Sequence, residues 1–232
     1  MLEIANLDGF YGNSRALQRV SLDVPTGGFL SVLGRNGVGK TTLLRGILGL
    51  LDRTGGSIVL DGEELNGLPT HKRVRAGIGI VPQGRGILPR FTVQENLRMG
   101  SFARANGGGR DLEEQVFALF PILKDHLSRA GGNLSGGQQQ QLAIGRALMT
   151  EPKVILLDEP TEGIQPNVVE QIEQAIVDLN RRNGITIVVV EQDIQFARRV
   201  SDTFAVMEKG RVVASGAVGE LTDELVHRHM AV

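Results

Sequence analysis

The stretch Gly34-Arg35-Asn36-Gly37-Val38-Gly39-Lys40-Thr41 has the residue types and spacing of a phosphate cradle. A phosphate chain carries dense negative charge, so donors must approach it closely, and glycines keep side chains away from the backbone N–H groups. Gly34, Gly37 and Gly39 supply that clearance around Asn36, and a helix starting near Lys40 would turn its positive end toward the anion. Lys40 would reach the terminal phosphates, the Thr41 hydroxyl would ligate Mg2+, and Thr42 joins them in the nucleotide-binding set. A strand before the loop, Phe29–Leu33, and a helix after it give the setting this chemistry needs.

A second stretch, Val154-Ile155-Leu156-Leu157-Asp158-Glu159, ends an apolar strand in two acids. Mg2+ keeps several waters and takes few carboxylates, so a single acid at a strand end suits it. Asp158 would hold the Mg2+ shell, and Glu159, next along the chain and pointing elsewhere, could orient and polarise an attacking water. Alone, such a pair reads as a loop start or helix cap; combined with the loop at Gly34, the catalytic reading is the stronger. In the third stretch, Leu134-Ser135-Gly136-Gly137-Gln138, serine and glutamine three residues apart fit a capping box. Two glycines at a helix start cost about 1 kcal/mol each relative to alanine if helical, which suits a backbone left bare for a ligand. Both readings can hold.

The elements that must position these groups follow from periodicity. Apolar runs at 29–33, 154–157 and 185–190 alternate with helical patterns from Lys40, at 167–180 and at 194–200, which predicts βαβ units and a parallel sheet flanked by helices. After Pro166, the residues Val168, Ile172, Ala175, Ile176 and Leu179 form one buried helical stripe, which Asn183-Gly184 ends. Residues 2–7, 17–24 and 57–60 are strand-like without full helices between them, and Asp61-Gly62 reads as a turn, so an N-terminal antiparallel β subdomain is expected. Between 84 and 149 strand signals vanish and 92–99, 111–120 and 135–149 read as helices, which predicts an inserted helical subdomain. Asn106-Gly107-Gly108-Gly109 reads as a flexible linker. The glutamines at 138–141 read as solvated or facing a partner.

Composition sets bounds. The 232 residues suit one domain with an excursion, too short for two nucleotide-binding domains in tandem. With 25 basic against 26 acidic residues, a net charge of −1 gives no bulk attraction to nucleic acid or an anionic membrane. The chain has no cysteine, which rules out disulfides and thiolate metal sites and suits a reducing compartment. Met1-Leu2-Glu3-Ile4-Ala5-Asn6 reads as the start of a strand rather than a signal peptide, and the apolar runs fall below the roughly 18 to 20 residues of a membrane span. Service to a membrane would come from its aqueous side.

Together these motifs resemble those of ABC-type ATPases over nearly the whole chain, with 34–41 as Walker A, 134–138 as the signature sequence and 154–159 as Walker B with its catalytic glutamate. The resemblance implies a P-loop NTPase core and a site shared between two subunits, in which Ser135, Gly136, Gly137 and Gln138 act on the partner's ATP. Tyr11 matches the aromatic that stacks on adenine, although it could equally be a core aromatic. Gln83, in Val81-Pro82-Gln83, matches the glutamine that senses Mg2+ and the γ-phosphate. Two positions depart from the pattern. Val190-Glu191-Gln192 places Gln192 where the family usually has a histidine, and an amide can donate to a γ-phosphate but cannot carry a proton. Glu162-Gly163-Ile164-Gln165 stands where the family's loop commonly ends in aspartate.

These departures, with Leu142-Ala143-Ile144-Gly145-Arg146-Ala147-Leu148, are similar to the second ATP-binding subunit of branched-chain amino acid and amide importers. Val81-Pro82-Gln83-Gly84-Arg85 and Glu162-Gly163-Ile164-Gln165-Pro166 look most like the urea-importing branch. The resemblance implies ATP and Mg2+, a second ATPase subunit or a second copy of this chain, two permease subunits, an external solute-binding protein, no nucleic acid, and a place at the cytoplasmic face of a membrane. The branched-chain amino acid importer is the alternative. A soluble ABC ATPase scaffold, as in iron–sulfur cluster assembly, is the alternative of a different class. Residues 222–232 read equally as a docking helix or a loose tail.

Overall fold

Strands and helices follow one another as β1 (Leu2–Tyr11), β2 (Ser14–Val24), β3 (Phe29–Leu33), α1 (Lys40–Ile47), β4 (Arg53–Leu60), β5 (Glu63–Glu64) and α2 (Thr70–Ala76). They continue with β6 (Ile78–Val81), α3 (Val93–Ser101), α4 (Arg110–Leu119), α5 (Pro121–Asp125), α6 (Gly136–Leu148), β7 (Val154–Asp158) and α7 (Pro166–Arg181). The chain ends with β8 (Thr186–Glu191), α8 (Ile194–Val200), β9 (Thr203–Glu208), β10 (Arg211–Ala217) and α9 (Asp223–Met230). This computed structural model describes residues 1–104 and 110–230; the linker expected at Asn106-Gly107-Gly108-Gly109 lies outside them. Two compact units result, one of Met1–Arg73 with Thr186–Val232 and one of Val74–Ile185.

In the first unit, alternation builds an antiparallel sheet in the order β2-β1-β4-β5. Leu2, Ile4 and Leu7 of β1 and Leu17, Val20, Leu22 and Val24 of β2 are buried, while intervening positions meet solvent. Asp8 on β1 accepts hydrogen bonds from the guanidinium of Arg15 and the backbone N–H of Arg19 on β2. The Arg15 bond holds the Asp8 carboxyl below the usual range. Asp61 and Gly62 both have positive φ, the two-residue hairpin turn that matches strand twist, and join β4 to β5. The same unit holds β3, buried along its whole length, parallel to β8 on one side and β9 on the other. β10 runs antiparallel to β9. Continuous burial fits strands covered on both faces. Helix α9 lays Leu225, Val226 and Met230 against Leu33, Ala197, Phe204, Val206 and Leu221.

In the second unit, β6 and β7 are parallel, pairing Ile78 with Val154 through to Val81 with Leu157. Among the described residues between 84 and 149, the backbone is helical apart from loops and one isolated bridge, Thr92 with Ala130. Helix α6 is buried from Gln140 to Gly145, so the solvated or partner-facing reading of 138–141 fails for Gln140 and Gln141, each 4% exposed. Burial is tolerable for Gln141 in part because its amide N–H donates to Gln171 on α7. Helix α7 buries Ile172, Ala175, Ile176 and Leu179, with Val168 half-buried at the head of the stripe. Among the described residues no helix is long and apolar enough to cross a membrane.

Candidate functional site

The loop from Gly34 to Gly39 joins buried β3 to α1, and its shape follows from its glycines. A Cβ on Gly34 would stand 2.7 Å from the Met207 carbonyl oxygen and 2.8 Å from Val38 Cγ2, so no larger residue fits. Gly39 caps α1 at φ 110, a left-handed conformation that L side chains disfavour. The α1 start has no side-chain cap and no acidic residue in its first turn, which leaves its positive end unneutralised, the arrangement that favours an anion. Lys40 is 5% exposed, and its ammonium donates to the carbonyls of Gly34 (2.8 Å) and Arg35 (3.1 Å). A cation is thereby fixed inside the loop by the loop's own backbone. Arg35, Asn36, Gly37 and Thr41 are exposed and Thr42 half-buried.

Two supports of this loop and helix lie outside the motif. The N–H of Gly210, in the β9–β10 turn, donates to the Val38 carbonyl at 2.7 Å and fixes the loop from behind. Arg73 of α2, 3% exposed, donates through Nη1 to the carbonyls of Gly46 (3.1 Å) and Ile47 (2.8 Å), the last residues of α1, and through Nε to Leu68. Helix ends leave such carbonyls without intrahelical partners, and a buried cation there also suits the negative end of the dipole. Nothing in the local pattern Thr70-His71-Lys72-Arg73 marks this arginine as buried.

Tyr11, at the end of β1, is 36% exposed, so it is not a core aromatic; the Arg45 guanidinium of α1 lies 5.4 Å from its ring centre. Gln192 is exposed at the end of β8 and lines, together with Gly34, Arg35 and Asn36, a cavity of about 1060 Å3. The structure thus brings the switch position to the phosphate loop. The rest of the cavity wall comes from Ile194 of α8, the β9–β10 turn and α9, none of which a sequence motif marks.

In the second unit, Asp158 ends β7 at 4% exposure and Glu159 follows at 9%. Glu159 has φ 46, in the left-handed region, which turns it away from the strand direction. Gln83, exposed beyond the end of β6, donates through Nε2 to Glu162 at 2.9 Å and to Glu159 at 3.4 Å. This fixes the amide nitrogen against carboxylates and leaves its oxygen to act as an acceptor elsewhere. At the start of α6 the capping box forms in full: Ser135 N–H donates to Gln138 Oε1 (3.0 Å) and Gln138 N–H to Ser135 Oγ (3.3 Å). Gly136 and Gly137 have different surroundings. A Cβ on Gly137 would stand 2.4 Å from Val168 Cγ1, so this glycine also has a packing reason inside the chain. The atoms nearest a Cβ on Gly136 belong to the flexible end of Arg85, the first at 3.0 Å. Arg85, which also bonds Gln139 at 3.3 Å, ties the segment after Gln83 to the start of α6, and position alone did not reveal it.

The family model for ABC transporters matches residues 17–162. The high-affinity branched-chain amino acid transport ATP-binding protein BraG of Pseudomonas aeruginosa is 43% identical over 213 residues, covering 92% of this chain and 91% of that protein. The probable branched-chain amino acid transport ATP-binding protein LivF of Archaeoglobus fulgidus is 34% identical over 223 residues, covering 96% and 94%. Among solved structures, the ATP-binding cassette MJ0796, in a dimeric post-hydrolysis state bound to ADP and Pi, superposes with a TM-score of 0.82 at 30% identity, covering 94% of this chain and 99% of that one.

Proposed function

The chain belongs to the ABC transporter ATPase family, and we propose that it is the ATP-hydrolysing subunit of an importer for branched-chain amino acids. The observation that carries nucleotide chemistry is Lys40, a buried ammonium held on the loop by the Gly34 and Arg35 carbonyls at the uncapped start of α1. Both named relatives are ATP-binding proteins of branched-chain amino acid transport, one named as high-affinity and one as probable, which favours that solute over the urea expected from the local pattern around Arg85 and Glu162.

Lys40, the backbone N–H groups around Gly34, Asn36, Gly37 and Gly39, and the first turn of α1 through Thr42 bind the phosphates of ATP, while Tyr11 stacks on the base. Glu159 accepts a proton from the attacking water, its carboxylate steadied by the Gln83 amide. Gln192 donates to the terminal phosphate without carrying its proton. Thr41, Gln83 and Asp158 offer a hydroxyl, an amide oxygen and a carboxylate, hard oxygen donors that fit Mg2+. Mg2+ keeps several waters and needs few protein carboxylates, so one acid beside a hydroxyl and an amide oxygen suffices. When bound, Mg2+ would neutralise phosphate charge.

Residues 84–149 act as a helical subdomain within a single ABC domain, carrying Ser135, Gly136, Gly137 and Gln138 to the ATP of a partner subunit. Loss of the bridging γ-phosphate opens the pair and moves permease subunits at the cytoplasmic face, which an external binding protein supplies. The test is ATP-driven uptake into vesicles holding this chain with its partner ATPase, permease and binding protein. Labelled leucine should accumulate, and Lys40→Ala should abolish uptake and hydrolysis. Accumulation of labelled urea without leucine would overturn the solute assignment, and full hydrolysis by Lys40→Ala would overturn the cradle.

A further inference from the structure

Helix α9 is not part of any motif, yet His227, Arg228 and His229 line the same cavity as Gly34, Asn36 and Gln192. The helix is held at both ends. At its start, Arg198 donates to the Leu221 carbonyl (2.7 Å) and to Asp223 (2.6 Å). At its end, His229 Nδ1 lies 3.6 Å from Glu208 Oε2. Leu225, Val226 and Met230 press its apolar side against the core. His227 and Arg228 are left exposed, on an element whose position the packing fixes.

The charges of the lining point to an anion. Its two acids already have partners: Asp223 pairs with Arg198, and Glu208 lies against the His229 imidazole. Among the described residues no carboxylate pairs with Arg35 of the loop or with Lys209 and Arg228 of the wall opposite, so the lining carries uncompensated positive charge. Guanidinium and imidazole groups are hydrogen-bond donors suited to phosphate oxygens, and an imidazole can also carry the proton that the Gln192 amide cannot.

We propose that α9 is a wall of the nucleotide site, on which His227 and Arg228 bind a phosphate group beside the loop at Gly34. The inference rests on the nucleotide reading of that loop. Two sources share this chemistry: the γ-phosphate of bound ATP and the inorganic phosphate that hydrolysis releases.

The test uses the full chain and the variants His227→Ala, Arg228→Ala and both together, exposed positions whose truncation leaves the core intact. Steady-state hydrolysis is measured against ATP and against added inorganic phosphate, and ADP binding by calorimetry. If the γ-phosphate is the ligand, kcat/KM for ATP falls about tenfold or more in the double variant while ADP affinity stays. If released phosphate is the ligand, its inhibition constant rises about tenfold with KM for ATP unchanged. Unchanged values of both overturn the proposal, as does an equal loss of ADP affinity, which would report a general disturbance of the loop. Failure of the underlying reading is distinguishable, because Lys40→Ala would then bind ADP as the wild type does.

Discussion

Glu159 is placed by a backbone conformation that most residues avoid. Its φ of 46 directly follows a buried strand, and an L residue in the left-handed region costs about 1–2 kcal/mol. The cost aims the carboxylate off the line of β7, so that Asp158 and its neighbour can hold different roles from adjacent positions. The strain and the chemistry can be separated with two variants. Glu159→Gln keeps a side chain in the strained conformation; Glu159→Gly relieves it, less roughly 0.5–1 kcal/mol for the extra freedom of glycine in the unfolded chain. Both should lose hydrolysis, but urea unfolding should find the glycine variant the more stable of the two by roughly 0.5–1 kcal/mol. Equal stability, or a less stable glycine variant, would mean that residue 159 is not under strain.

At the scale of elements, the start of α6 combines a cap and a contact. The Ser135–Gln138 box closes the helix end, and the Gly137 backbone lies close enough to Val168 on α7 that a methyl group has no room. Gly137→Ala should therefore destabilise by about 1–3 kcal/mol despite alanine's better helix propensity, and Val168→Ala in the same chain should return most of the loss. Thermal melts of the single and double variants check this; a Gly137→Ala chain as stable as wild type would leave partner approach as the sole reason for the glycine. Periodicity located β3 and α8 to the residue because one is a continuous buried run and the other has a full apolar stripe behind the Asp193 cap. It did not locate β10, which alternates only between exposed and half-buried positions around Ala214, Gly216 and Ala217, a weak signal in any local window; nor did it locate β9, although Phe204–Met207 is a short buried run like β3. The motif residues were legible for the same reason: glycine spacing and strand-end acids are local patterns. Arg73, Gly210 and His227 were not, because their roles depend on carbonyls or a cavity formed by distant segments.

At the scale of the whole molecule, the cradle at Gly34 and the glycine pair at Gly136 lie in different compact units of the chain, and the proposed reaction needs each to serve a different ATP. A net charge of −1 provides no strong attraction or repulsion between copies, so ATP itself should be the main bridge between them. In a symmetric pair, every interface residue is used twice, once from each side. Lys40→Ala should then destroy the site whose cradle it carries, and Ser135→Arg the site that its partner carries, so either chain alone is inactive. Mixed chains that pair at random form half heterodimers, each with one intact and one doubly damaged site, so an equal mixture should recover roughly a quarter of wild-type hydrolysis. The mixture is measured by steady-state ATPase at constant total protein, with sedimentation in ATP confirming that pairs form. Formation of heterodimers without recovery would show that each chain completes its own site, and activity of the Ser135→Arg chain alone would remove the signature from the reaction.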